Sequence, residues 1–298
     1  MNNVKNIFSI KDLENLSGVK AHTIRIWEKR YNVLQPMRTD TNIRLYSLPS
    51  LQKLLNITLL HDYGYKISKI STFPEDKIPE LVRGIISNKN SKSHAITAFK
   101  MAMMNFDQEL FSNTYNWLME EKSFKEVFNQ VFIPLMEEVG LLWQTGTITP
   151  AHEHFLSCLI IKKTLLNTEK IEGLIPVNQA KVFVLSLPLN EIHELGLMYL
   201  HYEIVLKGYK VIYLGENMPI DNLKELKKHF NSIIFVSYLT IQPERVAVDE
   251  FVATMTEELL DDSTQIWLIG RMTEYINRSA ISNDVKIFNS IPDLVEKI

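Results

Sequence analysis

Apolar positions follow two rhythms along this chain, and the change comes near residue 173. Before it, apolar residues recur at the three-to-four spacing of amphipathic helices, which predicts helices over 11–16, 21–31 and 47–61. The same spacing predicts further helices over 81–86, 95–104, 108–119, 124–143 and 151–166. After a linker at 172–176, short runs rich in β-branched residues, near Val182, Val211, Ile233, Ile266 and Val285, alternate with helical stretches, the last over 292–298. Such βα alternation predicts a doubly wound parallel sheet of the flavodoxin-like kind. The expected fold class is multidomain, α and α/β: a winged helix-turn-helix over 1–73, a helical bundle over 75–172 and a Rossmann-like sheet over 173–298.

The stretch 181–217 organises the last part. A run over 182–187 reads as a strand buried on both faces, followed by a turn at 188–190. Glu191-Ile192-His193-Glu194-Leu195-Gly196 is expected to open a helix to Lys207, which Gly208 stops before a strand over 211–214. His193 thereby falls at the carboxyl end of a strand, where open α/β sheets place ligands. Downstream, Ser237-Tyr238-Leu239 closes the strand over 232–236, and Gly270 closes that over 265–269. Glu-x-His-x-x-Gly, then Ser-x-Leu, then a glycine after the fourth strand resembles the cobalamin-binding domain family. The resemblance implies that His193 is the lower ligand of cobalt and that Glu191 fixes its tautomer. It implies too that Gly196 leaves room for the nucleotide tail, that Ser237 offers a hydroxyl to the displaced base, and that Leu239 and Gly270 belong to the cofactor site. The family usually carries a second glycine where this chain has Arg271, a side chain that either crowds the tail or pairs with its phosphate.

Charge changes the picture only when divided. The net charge is -3, yet residues 1–73 hold eleven Lys and Arg against five Asp and Glu, so a head of +6 sits on a body of -9. That asymmetry is expected where one module meets nucleic acid. Cys158 is the only cysteine, which excludes a disulfide framework and a cysteine-based zinc site. With no apolar run of transmembrane length and no signal peptide, a soluble cytoplasmic protein is expected.

Within the head, two short helices meet at Ser17-Gly18-Val19, the helix-turn-helix pattern. Ile24, Trp27 and Tyr31 are expected to pack inward, leaving His22, Arg25, Lys29 and Arg30 for the groove or the backbone. A hairpin over 36–46 carries Arg38, Arg44 and Tyr46. This ordered set resembles the DNA-binding domain of MerR-type regulators, in which Arg25, Arg38, Arg44 and Tyr46 match backbone-contacting positions. Phosphate contacts position a protein without reading sequence, so the operator does not follow.

In the bundle, Trp143, nine residues, then Glu153-His154 resembles the capping bundle of cobalamin photoreceptor regulators of the CarA, CarH and LitR type. The resemblance implies that these three side chains surround the upper axial group of adenosylcobalamin or methylcobalamin. Gly146, Thr149 and Pro150 suit a helix stop, an N-cap and a first helical position. His152 and His154 lie two apart on one helix and cannot chelate a single ion. Light sensors of this type that form a bis-histidine adduct carry histidine after the tryptophan; here it is Gln144.

The expected protein is not an enzyme but a regulator bound to double-stranded DNA and controlled by cobalamin, with a dimer or tetramer as its working form. Two alternatives stand beside it. The domain serves without cofactor as a docking surface for an antirepressor or other protein, or the chain is the corrinoid-carrying subunit of a methyltransferase or mutase.

Overall fold

The structure, a computed structural model, describes residues 7–86, 92–172 and 178–298. The expected linker lies outside the described residues from 173 to 176. The chain divides into two compact units, Met1–Ile160 and Ile161–Ile298, so the basic head and most of the bundle share one unit.

The first unit starts with β1 (Ile7–Ser9) and α1 (Ile10–Ser17). Ser9 and Asp12 form a capping box at the start of α1, and Gly18, at φ 74°, ends it in the left-handed region. Next come α2 (Ala21–Tyr31), β2 (Met37–Arg38) and β3 (Arg44–Ser47). The wing is a sheet in the order β1-β3-β2, antiparallel throughout. Its pairing to residues 7–9 is an addition to the expected hairpin. On α2, Ile24 and Trp27 are buried as expected, whereas Tyr31 is half-buried.

Ser47 caps α3 (Leu48–Asp62), which is followed by α4 (Ile67–Ile70) and α5 (Lys77–Ile86). The bundle holds α6 (Lys92–Asn105), α7 (Gln108–Glu121), α8 (Phe124–Val127), α9 (Ile133–Gln144) and α10 (Pro150–Glu172). Phe99, Phe111 and Phe132 form its aromatic centre, with ring centroids 4.9–6.3 Å apart. The single helix expected over 124–143 is broken by a π-helical segment, Phe128–Phe132. Pro134 accounts for the break, because it lacks the N–H that an α-helix would send to Gln130 and its ring crowds that carbonyl. Lys100 Nζ donates to the Leu16 carbonyl, and Asn15 to the Thr147 hydroxyl, joining head and bundle inside this unit.

The second unit contains β4 (Asn178–Ser186), α11 (Leu195–Leu206), β5 (Tyr209–Gly215), α12 (Ile220–Leu223), β6 (Ile233–Tyr238), α13 (Val248–Leu259), β7 (Thr264–Ile269), β8 (Val285–Phe288) and α14 (Ile291–Lys297). The strands form a parallel sheet in the order β5-β4-β6-β7-β8, the doubly wound arrangement expected. Val184, Phe235, Ile266 and Leu268 lie in one core with Val252 and Met255 of α13. The connections after β4 and β6 lead to opposite flanks of the sheet, so a crevice opens between them at the carboxyl edge. The helix expected to open at Glu191 starts instead at Leu195, and residues 191–194 are irregular. No helix among the described residues is long and apolar enough to cross a membrane.

Candidate functional site

At that crevice one buried carboxylate ties two loops together. Glu191 is 0% exposed. Its Oε1 accepts the backbone N–H groups of Ile192 at 3.0 Å and His193 at 2.9 Å. Its Oε2 accepts those of Thr240 at 3.1 Å, Ile241 at 2.7 Å and Gln242 at 2.9 Å. A carboxylate so engaged gathers the loops after β4 and β6 around itself. Burial alone raises the pKa of Glu191, but the N–H groups of Ile241, Gln242 and His193 and the His193 ring outweigh it, and the net shift is downward.

His193 is positioned by the same group, with Nδ1 2.6 Å from Glu191 Oε1. An ionised carboxylate only accepts, so Nδ1 carries a proton, and in the neutral tautomer Nε2 is the nitrogen with the lone pair. The ring is 49% exposed, and its Nε2 has no hydrogen-bond partner among the described residues. A single oriented imidazole with a carboxylate behind it is the arrangement of a metal-ligating histidine. Leu189, Ile192, Ile241 and Val246, on the two loops that Glu191 ties, are exposed, an apolar surface suited to a flat hydrophobic ligand.

The remaining expected cofactor residues are placed less simply. Ser237 is buried and its Oγ donates to the Ser186 carbonyl at 3.0 Å, so its proton is already committed. The Leu239 side chain belongs to the core, and only its backbone faces Gly270. A Cβ on Gly270 would lie 2.4 Å from the Leu239 carbonyl oxygen, and its φ of +111° favours glycine, so this glycine is required by the protein itself. A Cβ on Gly196 would lie 2.7 Å from the Tyr238 ring, and the room expected beside Gly196 is filled. Arg271 is exposed. Sequence reasoning missed Tyr238 and the N–H groups of residues 240–242: the middle of Ser-x-Leu carries no signal of its own, and backbone donors leave none.

In the first unit a tight loop from Thr145 to Thr149 brings the end of α9 back to the start of α10. Trp143 and His154 are exposed, and His154 Nε2 lies 3.7 Å from Glu153 Oε2. His152 points elsewhere. It is buried, stacked on Phe106 at 4.8 Å, and its Nδ1 accepts from the Thr149 N–H at 3.2 Å. Burial lowers its pKa despite that bond, so His152 acts as the side-chain half of a helix cap.

On the head, His22, Arg25, Lys29 and Arg30 are exposed along α2, as is Arg38 on the wing. Arg44 is half-buried, its Nε held 3.1 Å from Glu28 Oε1. Tyr46 corrects the expectation: it is 0% exposed and its hydroxyl donates to Glu28 Oε2 at 3.0 Å. Burial first, then the Glu28 charge, raises its pKa. Glu28 thus pins the wing to α2, and Tyr46 belongs to that latch rather than to a phosphate-facing surface.

The comparisons agree on the class of molecule. The profile of the MerR HTH family regulatory proteins matches residues 8–75, and that of a B12 binding domain matches residues 95–163, which fall on α6–α10. The chain joins a MerR-type helix-turn-helix to a B12-binding domain and is a DNA-binding regulator of transcription. It is homologous to the HTH-type transcriptional repressor CarH of Myxococcus xanthus, 26% identical over 271 residues that cover 87% of this chain and 84% of the relative. The repressor CarA of the same organism is 24% identical over 216 residues, 70% of this chain and 68% of CarA. Both relatives are transcriptional repressors by name. Among solved structures, the Methanosarcina barkeri monomethylamine corrinoid protein matches with a TM-score of 0.53 at 14% identity, covering 73% of this chain and 94% of that one, a likeness of fold.

Proposed function

We propose that this regulator is controlled by a cobalamin held at His193, with adenosylcobalamin or methylcobalamin as the working form. The observation that carries the reading is the buried Glu191, which presents His193 with its Nε2 lone pair open to solvent. When bound, the corrinoid would supply a cobalt ion with its equatorial positions already filled, which needs only one imidazole from the protein. Glu191 would orient that imidazole and Gly270 would keep the crevice floor in shape, while Trp143, Glu153 and His154 would serve the upper axial group. The working division is three modules, 1–73, 75–172 and 173–298. Cofactor binding would favour a dimer or tetramer that sets several heads on repeated DNA sites in the cytoplasm.

The test is a visible spectrum of the full chain, mixed in the dark with each cobalamin and passed through a desalting column. The wild type is expected to emerge coloured. His193→Ala is expected to shift the spectrum and weaken retention by more than about tenfold, the upper range seen when only a ligand's outer partner is removed being larger still. Colourless wild-type protein after every cobalamin would instead favour the docking alternative, for which the filled space beside Gly196 is the supporting observation.

Light is expected to act by loss of the corrinoid. Gln144 stands where adduct-forming sensors carry histidine, and the His152 ring is committed to Thr149 and Phe106. Illuminated adenosylcobalamin complex should therefore lose its colour on desalting. A bis-imidazole spectrum that survives the column, and vanishes in His154→Ala, would overturn this.

DNA affinity should rest on phosphate contacts by the exposed cations. Arg25→Ala and Arg38→Ala are each expected to weaken binding to all sequences alike and to reduce the slope of log K against log salt by about 1. Salt titrations by fluorescence anisotropy check this, and an unchanged slope in Arg38→Ala removes the wing tip from the interface.

A further inference from the structure

We infer that Tyr238 is a movable gate which decides what kind of corrinoid the second unit accepts; the inference rests on the cobalamin reading of His193. Gly196 is the starting point. Its φ lies outside the left-handed range, so its backbone does not call for glycine. What calls for glycine is space: a Cβ there would lie 2.7 Å from Cε2 and Cζ of Tyr238 and 3.1 Å from Cδ2. The ring of the last residue of β6 therefore lies against the first turn of α11, two positions beyond the irregular segment that carries His193.

A corrinoid held on His193 Nε2 would face this sheet edge with the side that carries its nucleotide tail, so the tail would enter the protein beside the imidazole. Two seams flank the edge. The seam at Gly270 is closed by backbone, since the Leu239 N–H donates to the Ile269 carbonyl at 2.7 Å and the Leu239 carbonyl accepts from the Met272 N–H at 3.0 Å. Opening it would break sheet structure. The seam at Gly196 is closed only by the end of a side chain. The Tyr238 hydroxyl makes no hydrogen bond among the described residues, in contrast to Ser237, which donates to Ser186, and Tyr213, which donates to Glu194. Only packing holds the ring, and a rotation about its side-chain bonds would clear the slot at the cost of ring burial.

The consequence is a preference. A corrinoid without a nucleotide meets the resting protein as it stands, whereas a tailed one binds only the fraction with the ring turned out. Its apparent affinity falls by that fraction, and for the burial of an aromatic ring the factor is about tenfold or more.

The experiment compares methylcobinamide, which has the same corrin and upper group but no nucleotide, with methylcobalamin. Both are titrated in the dark into the full-length wild type, Tyr238→Phe and Tyr238→Ala, with absorbance as the readout. The wild type is expected to bind methylcobinamide about tenfold or more tightly than methylcobalamin. Tyr238→Phe keeps the ring and should keep the preference. Tyr238→Ala should abolish it by tightening methylcobalamin alone. Wild-type protein that binds methylcobalamin as tightly as methylcobinamide, or a preference unchanged in Tyr238→Ala, overturns the gate and leaves the His193 reading standing. Failure of the wild type to bind either corrinoid overturns both. The wild-type comparison needs no variant to fold.

Discussion

Replacing Glu191 with alanine is expected to destabilise the second unit by about 3–5 kcal/mol, the range for removing the charged partner from a buried polar cluster. The substitution strands the five backbone N–H groups that this carboxylate accepts, three of them from a loop about fifty residues away. Thermal unfolding should show the loss as a fall of about 10 °C for a domain of this size. Hydrogen exchange should locate it in residues 239–242 and 191–194. Glu191→Gln keeps the shape but turns one acceptor into a donor, and a smaller loss is expected. The acid limb gives a second readout. The folded pKa of Glu191 lies below its ordinary 4.5, so its contribution is complete above that value and is lost as the pH falls through the lower folded one. Glu191→Gln should therefore flatten the stability profile below about pH 4.5. A variant as stable as the wild type, with unchanged exchange at 239–242, would show that the two loops are held by something else.

Gly270→Ala is expected to cost about 3 kcal/mol or more, combining backbone strain with a collision. Gly270 has φ 111° and ψ 168°, a region that alanine does not adopt without strain. Its new Cβ would meet the Leu239 carbonyl oxygen at 2.4 Å and the Leu239 backbone N and C at 2.8 Å. Those atoms are fixed in hydrogen bonds to Ile269 and Met272 and cannot withdraw. Calorimetry of the full chain should show a lowered transition. Gly196→Ala is the natural comparison, because its Cβ meets a ring held only by packing, so a milder effect is expected. Equal losses at the two glycines would mean that the Tyr238 ring is as rigid as the Leu239 backbone, against the gate.

Much of the architecture was legible from spacing alone. Period and turn residues mark α2 to the residue, and α1, α3, α7 and the strands to within a few positions. The cap expected at Thr149 is equally local, since its partner His152 lies three residues on. The order of Glu191-x-His193, Ser237 and Gly270 marks the carboxyl edge of a parallel sheet before any coordinates are known. These features depend on neighbours along the chain, and a sequence states its neighbours directly.

Other features depend on which distant segments meet, and the tertiary structure decided them. Tyr46 sits on the wing beside two arginines, yet pairing of β1 with β3 and the carboxylate of Glu28 turn it inward. Pro134 signals a break, but only the surrounding bundle makes that break a π-helical segment rather than a helix end. The helix after β4 starts at Leu195 rather than Glu191, and the register of β4 on β6 carries residues 240–242 within reach of the Glu191 carboxylate. The same register sets Tyr238 against Gly196, which makes one residue's side chain the reason for another's absence. Periodicity encodes which face of an element is buried; what that face meets is settled only when non-local strands pair and their ends converge.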